Sequence, residues 1–318
     1  MSNHKTHTAT RQIDALKRAL GHEIEALLND LAVIEVLLNP DGALWVERLG
    51  AHGLERVHSI DQVRAMSIIT TVASLLDTTV TAERPILECE LPLDGSRFEA
   101  LIPPVVQAPT FSIRKKASAV FTLDQYVNQG IMTDRQRERI QAAIEQRKNI
   151  LVAGGTGTGK TTLANALLDH ISKRAAEHRI VIIEDTRELQ CQAPNTVYLR
   201  TSDQVDMTQL LRATMRLRPD RIVVGEVRDR SALALLKAWN TGHPGGVGTV
   251  HANDAAAALV RVGQLVQEAG VPPAPDLIAE AVNVVVSIQR ERGSRRIGEI
   301  VEVSGYDSRS GFRFEKVG

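Results

Sequence analysis

Gly154-Gly155-Thr156-Gly157-Thr158-Gly159-Lys160-Thr161-Thr162 carries the pattern G-x-x-x-x-G-K-[ST]. Asn149-Ile150-Leu151-Val152-Ala153 precedes it as a short apolar run with the length of a buried strand. Leu163, Leu167 and Ile171 follow at helical spacing. Strand, glycine-rich turn and helix form the arrangement that phosphate binding requires. Glycines let backbone N–H groups close around phosphate oxygens, and the helix N-terminus adds partial positive charge. All nine residues are therefore candidate phosphate contacts. Lys160 is placed to reach β- and γ-phosphates, and the Thr161 hydroxyl to hold Mg²⁺. ATP with Mg²⁺ is the implied ligand.

Working outward, the chain has 318 residues, enough for two domains of ordinary size. Hydrophobic residues make up 43% but aromatics only 3%, so Val, Ile, Leu and Ala must fill the core. Lys and Arg total 38, and so do Asp and Glu, giving zero formal net charge. Direct nucleic-acid binding is not indicated, because the electrostatic footprint it needs is missing. Cys89 and Cys191 stand far apart, which argues against a disulfide framework and a four-cysteine zinc site. The start of the chain has no apolar leader, and no run approaches the roughly 18 apolar residues of a membrane helix. A cytoplasmic protein is expected, with any membrane contact peripheral.

Residues 1–9 are polar and expected to be disordered. From Thr10, Ile13, Leu16, Leu20, Ile24, Leu27, Leu28 and Leu31 recur at steps of three and four, predicting an amphipathic helix. Its apolar face could pack within the domain or on a neighbouring subunit. Strand-like runs are predicted at 44–46, 54–57, 86–91, 98–102 and 111–115, the last with an edge-like composition, and a helix at 60–76. These make a small α+β domain over 1–116. Residues 117–122 read as a linker and 123–318 as an α/β domain. Thr133-Asp134-Arg135-Gln136 is a capping-box signature opening a helix. Apolar runs such as Ile180-Val181-Ile182-Ile183 and Ile222-Val223-Val224 predict a mainly parallel sheet covered on both faces.

Three further stretches carry chemistry. Ile222-Val223-Val224-Gly225-Glu226 resembles the second strand of a nucleotide hydrolase, with Gly225 where an Asp is usual. Glu226 is left to polarise the attacking water or hold Mg²⁺ through water. The strand at 180–183 runs into Glu184-Asp185-Thr186-Arg187-Glu188, whose carboxylates would face the crevice at the carboxyl edge of the sheet. Glu188 is assigned to position water, and Glu184 or Asp185 to reach Mg²⁺ indirectly. Thr241 to Asn253 is a glycine-rich loop entering a strand that ends at His251, a possible sensor of the γ-phosphate.

In this order and spacing, the four elements resemble the secretion or traffic ATPases, the RecA-like group that powers type II and type IV secretion and type IV pili. Gly154–Thr162 matches that family's phosphate loop, Glu184–Glu188 its acidic box, Gly225-Glu226 its degenerate second strand, and Gly242–His251 its histidine box. The stretch Leu211 to Arg221 looks like the type IV secretion branch, closest to the TrbB-type conjugal transfer ATPases. The resemblance implies a RecA-like C-terminal ATPase domain in a homohexameric ring, energising conjugative DNA transfer and pilus assembly. It implies ATP between the two domains, with Arg97 and Arg114 matching the arginines that approach the γ-phosphate. Arg216, Arg218 and Arg228 are further arginines for phosphate or a neighbouring subunit, and residues 121–126 are suggested for the adenine. Other components of a type IV secretion or mating-pair apparatus at the inner membrane are the implied partners. The rivals are a pilus-type or nucleic-acid-stimulated ring ATPase, and a nucleotide-gated assembly module with little turnover.

Overall fold

The computed structural model describes residues 2–49, 51, 53–116, 120–202, 204–291 and 294–317, with side chains from residue 11 onward. It divides into two compact units, Met1–Ser118 and Ala119–Gly318.

The N-terminal unit contains α1 (Ser2–Asn29), β1 (Val33–Leu38), β2 (Ala43–Arg48), β3 (Leu54–Ser59), α2 (Gln62–Leu75), β4 (Ile86–Glu90), β5 (Arg97–Leu101) and β6 (Thr110–Arg114). Its six-stranded antiparallel sheet runs β3-β2-β1-β6-β5-β4. Leu16, Leu20, Ile24, Leu27 and Leu28 bury the apolar stripe of α1 in this unit's own core, beside Ile68, Ile69 and Val72 of α2. The backbone of α1 leaves the helical region at Gly21. There Arg64 of α2 donates to the Leu20 carbonyl at 2.8 Å and pairs with Glu23 at 2.8 Å, so the freed acceptor is satisfied.

Three expectations change. The helix already begins at Ser2, where the sequence suggested a disordered tail; no proline or glycine before Gly21 interrupts it. Val33–Leu38 is a strand that the sequence did not separate from the helix before it. The strand at 110–114 is central, because β6 pairs with both β1 and β5 and buries Phe111 and Ile113.

The C-terminal unit contains α3 (Leu123–Asn128), α4 (Asp134–Glu145), β7 (Ile150–Gly154), α5 (Lys160–Arg174), β8 (Ile180–Glu184), β9 (Thr196–Arg200), α6 (Met207–Thr214), β10 (Arg221–Val224), α7 (Ser231–Asn240), β11 (Val247–His251), α8 (Ala255–Gln267), α9 (Pro275–Ala281), β12 (Val284–Glu291), β13 (Ser294–Asp307) and β14 (Gly311–Lys316). The sheet order is β14-β13-β12-β7-β11-β10-β8-β9. Strands β12 to β9 in that order are parallel, and β13 and β14 add antiparallel at one side. Alternate residues of each central strand feed two cores. Ile150, Val152, Ile180 and Ile182 pack with α3, α4 and α5. Leu151, Ala153, Val181 and Ile183 pack with α6 to α9. Coverage on both faces is why these strands are continuous apolar runs. Thr133 caps α4 in the expected capping box with Gln136. Cys89 and Cys191 are free and half-buried, and burial pushes the Cys89 thiol up to about 12.

At the amino edge of this sheet Arg221 is buried without a carboxylate. Its Nε donates to His178 Nδ1 at 3.0 Å, Nη1 to the Gly245 carbonyl at 2.9 Å and Nη2 to the Ile144 carbonyl at 3.2 Å. Burial brings its pKa down to about 10. His178 must keep its Nδ1 lone pair to accept this bond. Its own pKa lies below the ordinary 6.5, through burial first and then the charges of Arg221 and Arg147, against the opposite pull of Glu177 and Asp220. The folded state therefore binds this proton less readily than the unfolded chain. Stability from the cage is full above about 6.5 and declines as pH falls from there toward the folded value. Denaturation midpoints followed from pH 7.5 to 5.5 should fall more steeply for wild type than for His178→Asn, which keeps an acceptor but takes no proton. Parallel profiles would refute this linkage.

Candidate functional site

The loop between β7 and α5 closes with Gly157 at φ 71° and Gly159 at φ 98°, conformations that L side chains rarely adopt. Gly159 opens α5 with no side-chain cap, so the first amides of the helix remain open to an anion. Thr158 Oγ1 donates to the Gly155 carbonyl at 2.9 Å, pinning the loop across its base. Lys160 is only 8% exposed, and its Nζ donates to the same carbonyl at 3.1 Å. Gly154 lies buried at the end of β7, while Thr156 points outward. Among the described residues the Thr161 and Thr162 hydroxyls have no hydrogen-bond partner. The set fits a triphosphate with Mg²⁺: open amides and a lysine for phosphate oxygens, an uncommitted hydroxyl for the ion.

Sheet register brings the other elements to this loop. His251 is the direct partner of Gly154 across β11 and β7. His251 Nε2 lies 3.1 Å from Lys160 Nζ and 3.1 Å from Glu226 Oε1. Glu226 arrives there because the chain leaving β10 is stitched to its neighbours. Gly225 N donates to the Ile183 carbonyl at 2.9 Å, Val227 N to the Thr249 carbonyl at 2.8 Å, and Thr249 Oγ1 to the Gly225 carbonyl at 2.7 Å. One nitrogen thus touches both the loop cation and the carboxylate predicted to act on water. It accepts from Lys160 in one tautomer and donates to Glu226 in the other.

Glu184, at the end of β8, is 3% exposed and accepts the amides of Glu188 at 3.0 Å and Leu189 at 2.8 Å. Burial raises its pKa to about 7, against the opposite pull of those amides. The adjoining Gly225 has a specific reason to be glycine. A Cβ there would lie 2.9 Å from Glu184 Cγ and 3.3 Å from its Oε1. The Glu184 side chain fills the space into which an Asp at 225 would project. Asp185 is already engaged, by Thr201 Oγ1 at 2.8 Å and by Arg228 at 3.0 Å.

Glu188 is held through its backbone, and among the described residues its carboxylate has no hydrogen bond or ion pair. Its amide goes to Glu184, and its carbonyl accepts from Asn165 Nδ2 at 3.2 Å. Asn165 also accepts the Gln190 amide at 2.7 Å, clamping the acidic loop to α5. Sequence reasoning passed over Asn165, although a polar residue on the inward face of the helix was the available signal. Arg97 and Arg114 are direct cross-strand partners in β5 and β6. Neither side chain has a hydrogen bond or ion pair among the described residues. Arg216 and Arg218 are exposed. Of the stretch suggested for adenine, Tyr126 is core, edge-to-face with the partly exposed Phe121.

A match to the family described as Type II/IV secretion system protein covers residues 19–296. The chain is 52% identical over 296 residues to the probable conjugal transfer protein TrbB of Sinorhizobium fredii (strain NBRC 101917 / NGR234), covering 93% of this chain and 91% of that protein. It is 31% identical over 349 residues to the type IV secretion system protein VirB11 of Bartonella quintana (strain Toulouse), covering 94% of this chain and 96% of that one. Among solved structures, the crystal structure of the pilus retraction motor PilT with bound ADP is similar in fold. The TM-score is 0.62 at 18% identity, covering 92% of this chain and 81% of that chain.

The contact between Gly225 and Glu184 predicts that restoring the usual acid is harmful. Gly225→Asp should destabilise the protein by about 1–3 kcal/mol through overpacking. Part of that cost should vanish when Glu184 is shortened to Ala. A double-mutant cycle on unfolding free energies should show coupling above about 0.5 kcal/mol; additive effects would contradict the steric account.

Proposed function

This chain belongs to the type II/IV secretion system protein family, and on that footing we propose that it is an ATPase, ATP + H₂O to ADP + phosphate. In this reading it is a homohexameric motor that energises type IV secretion, powering conjugative DNA transfer and pilus assembly. The observation that carries the catalytic part is the chain of contacts Lys160 Nζ–His251 Nε2–Glu226 Oε1, 3.1 Å at each step, at the carboxyl edge of the parallel sheet.

The residues divide the work as follows. Gly154 to Thr162 grip the phosphates through main-chain amides and Lys160. Thr161 and Glu184 would hold Mg²⁺, the carboxylate through water; Asp185 is the alternative, but its oxygens face Thr201 and Arg228. Mg²⁺, when bound, would supply charge neutralisation for the phosphate oxygens. Lys160 turns from His251 toward phosphate, and the His251 tautomer that carries its proton on Nε2 in place of Nδ1 donates to Glu226. Glu226 is then oriented by that bond to take a proton from water, with Glu188 positioning the same water. Arg97 and Arg114 contribute to turnover as a paired cationic element.

The conjugal transfer and type IV secretion relatives support partners within a mating-pair apparatus at the inner membrane. Among the described residues no helix is long and apolar enough to cross a membrane. We place the protein in the cytoplasm, docked peripherally through those partners, with no direct nucleic-acid contact required.

Lys160→Ala should abolish Mg²⁺-dependent ATP turnover, and unchanged turnover would sink the enzyme reading. Glu226→Gln should slow single-turnover hydrolysis by about 10²–10⁴ with nucleotide still bound. Equal rates in Glu226→Gln and wild type would mean a binding module instead. Particle symmetry by electron microscopy checks the ring.

A further inference from the structure

The hairpin of β12 and β13 reaches over the phosphate loop from the side away from His251. Strand β12 pairs with β7 as far as Ser287 opposite Ala153, and Ile288 to Glu291 continue past that pairing. The carbonyl oxygen of Ile288 lies 2.7 Å from where a Cβ on Gly154 would be, so the hairpin rests against the loop. Beyond it, Arg295 of β13 lays Cδ and Nε 3.1 and 3.2 Å from the corresponding position on Gly159. Arg295 is half-buried, and among the described residues its side chain has no hydrogen bond or ion pair. Its charge acts on the Tyr126 hydroxyl of α3.

This is an adverse place for a cation. Gly159 is the N-cap of α5, where the helix carries partial positive charge, and Lys160 follows it. A guanidinium held here without a counter-charge is favourable only when an anion shares the space. Topology says which part of the anion. Strands β11 and β10 lie on one side of β7 and bring His251 and Glu226, the hydrolytic side. Strands β12 and β13 lie on the other side and bring Arg295, next to α3.

We propose that Arg295 is a nucleotide-binding residue that closes on the α-phosphate and ribose of the nucleoside di- or triphosphate at Gly159, and takes no part in the cleavage of the γ-phosphate. The proposal rests on the ATPase reading and names a subsite within it. An Arg offers a planar fork for phosphate and ribose oxygens that a Lys lacks.

The test is equilibrium titration of the purified full chain with fluorescent ADP and with a fluorescent non-hydrolysable ATP analogue, in Mg²⁺, alongside steady-state hydrolysis. Arg295→Ala should weaken both nucleotides by a similar factor, about tenfold to a hundredfold, as expected for a lost charge-assisted contact. Arg295→Lys should fall between. At saturating ATP, kcat should stay within about threefold of wild type, because the lost interaction is common to ground and transition states. Unfolding midpoints confirm that the variants are folded, and Arg295→Gln replaces the Ala variant if it is not. Wild-type affinity in Arg295→Ala overturns the proposal alone. Loss confined to the ATP analogue, with kcat reduced, also overturns it and moves Arg295 to the γ-phosphate side. Absence of nucleotide binding in wild type removes the ATPase reading and this subsite with it.

Discussion

In the parallel sheet of the C-terminal unit, His251 is paired with Gly154, and a slip of one residue would turn its ring to the opposite face. Most of the site depends on that register. It puts Nε2 beside the lysine of the phosphate loop and within reach of Glu226. The register is backed by specific packing: a Cβ on Gly246 would lie 2.1 Å from Trp239 Nε1 and one on Gly248 3.3 Å from its Cη2, so the indole needs the small residues where this pairing puts them. Packing at the centre of the sheet therefore fixes hydrogen-bond geometry at its edge.

The two edges handle buried charge in mirrored ways. At the carboxyl edge Glu184 is held by the amides of Glu188 and Leu189. At the amino edge Arg221 is held by the carbonyls of Gly245 and Ile144 and by the His178 lone pair. In neither case does an opposite charge make the contact; oriented backbone dipoles in the loops do. Such an arrangement tolerates burial without locking the charge into a salt bridge. For Glu184 the consequence is chemical, since a carboxyl group whose contacts are amides keeps further lone pairs to accept with.

What the sequence made legible follows from where the physics is local. The strand, glycine turn and helix around Gly154–Thr162, the capping box at Thr133 and the apolar strands are each specified within a few residues, and each forms where the sequence predicts it. Strand β1 does not, because Leu27, Leu28, Leu31 and Val33 continue the helical spacing of α1 into it. The break lies in Asp30, whose side chain accepts the Ala32 amide and ends the helix, a signal too short to outweigh the pattern. Strand β6 looked like an edge because Arg114 and Lys115 close it, yet Phe111 and Ile113 are buried between two neighbours. Asn165 and Arg295 were missed for another reason. Each acts on residues distant in sequence, Asn165 on Glu188 and Gln190 and Arg295 on Gly159. Gly225 stands between these cases: the missing Asp was plain, but its cause, the Glu184 side chain 41 positions earlier, needed the fold.

The same logic bears on the N-terminal unit. Like charges directly opposite on paired strands are destabilising, and Arg97 faces Arg114 in β5 and β6. Carboxylates stand directly beside the pair: Glu90 is the register partner of Arg97 and Glu35 of Arg114, and Glu35 also accepts from Ser112 at 2.7 Å. Glu99, two residues from Arg97, and its register partner Glu88 share that face by strand alternation. Carboxylates interleaved with the two arginines lower the cost of setting like charges opposite one another.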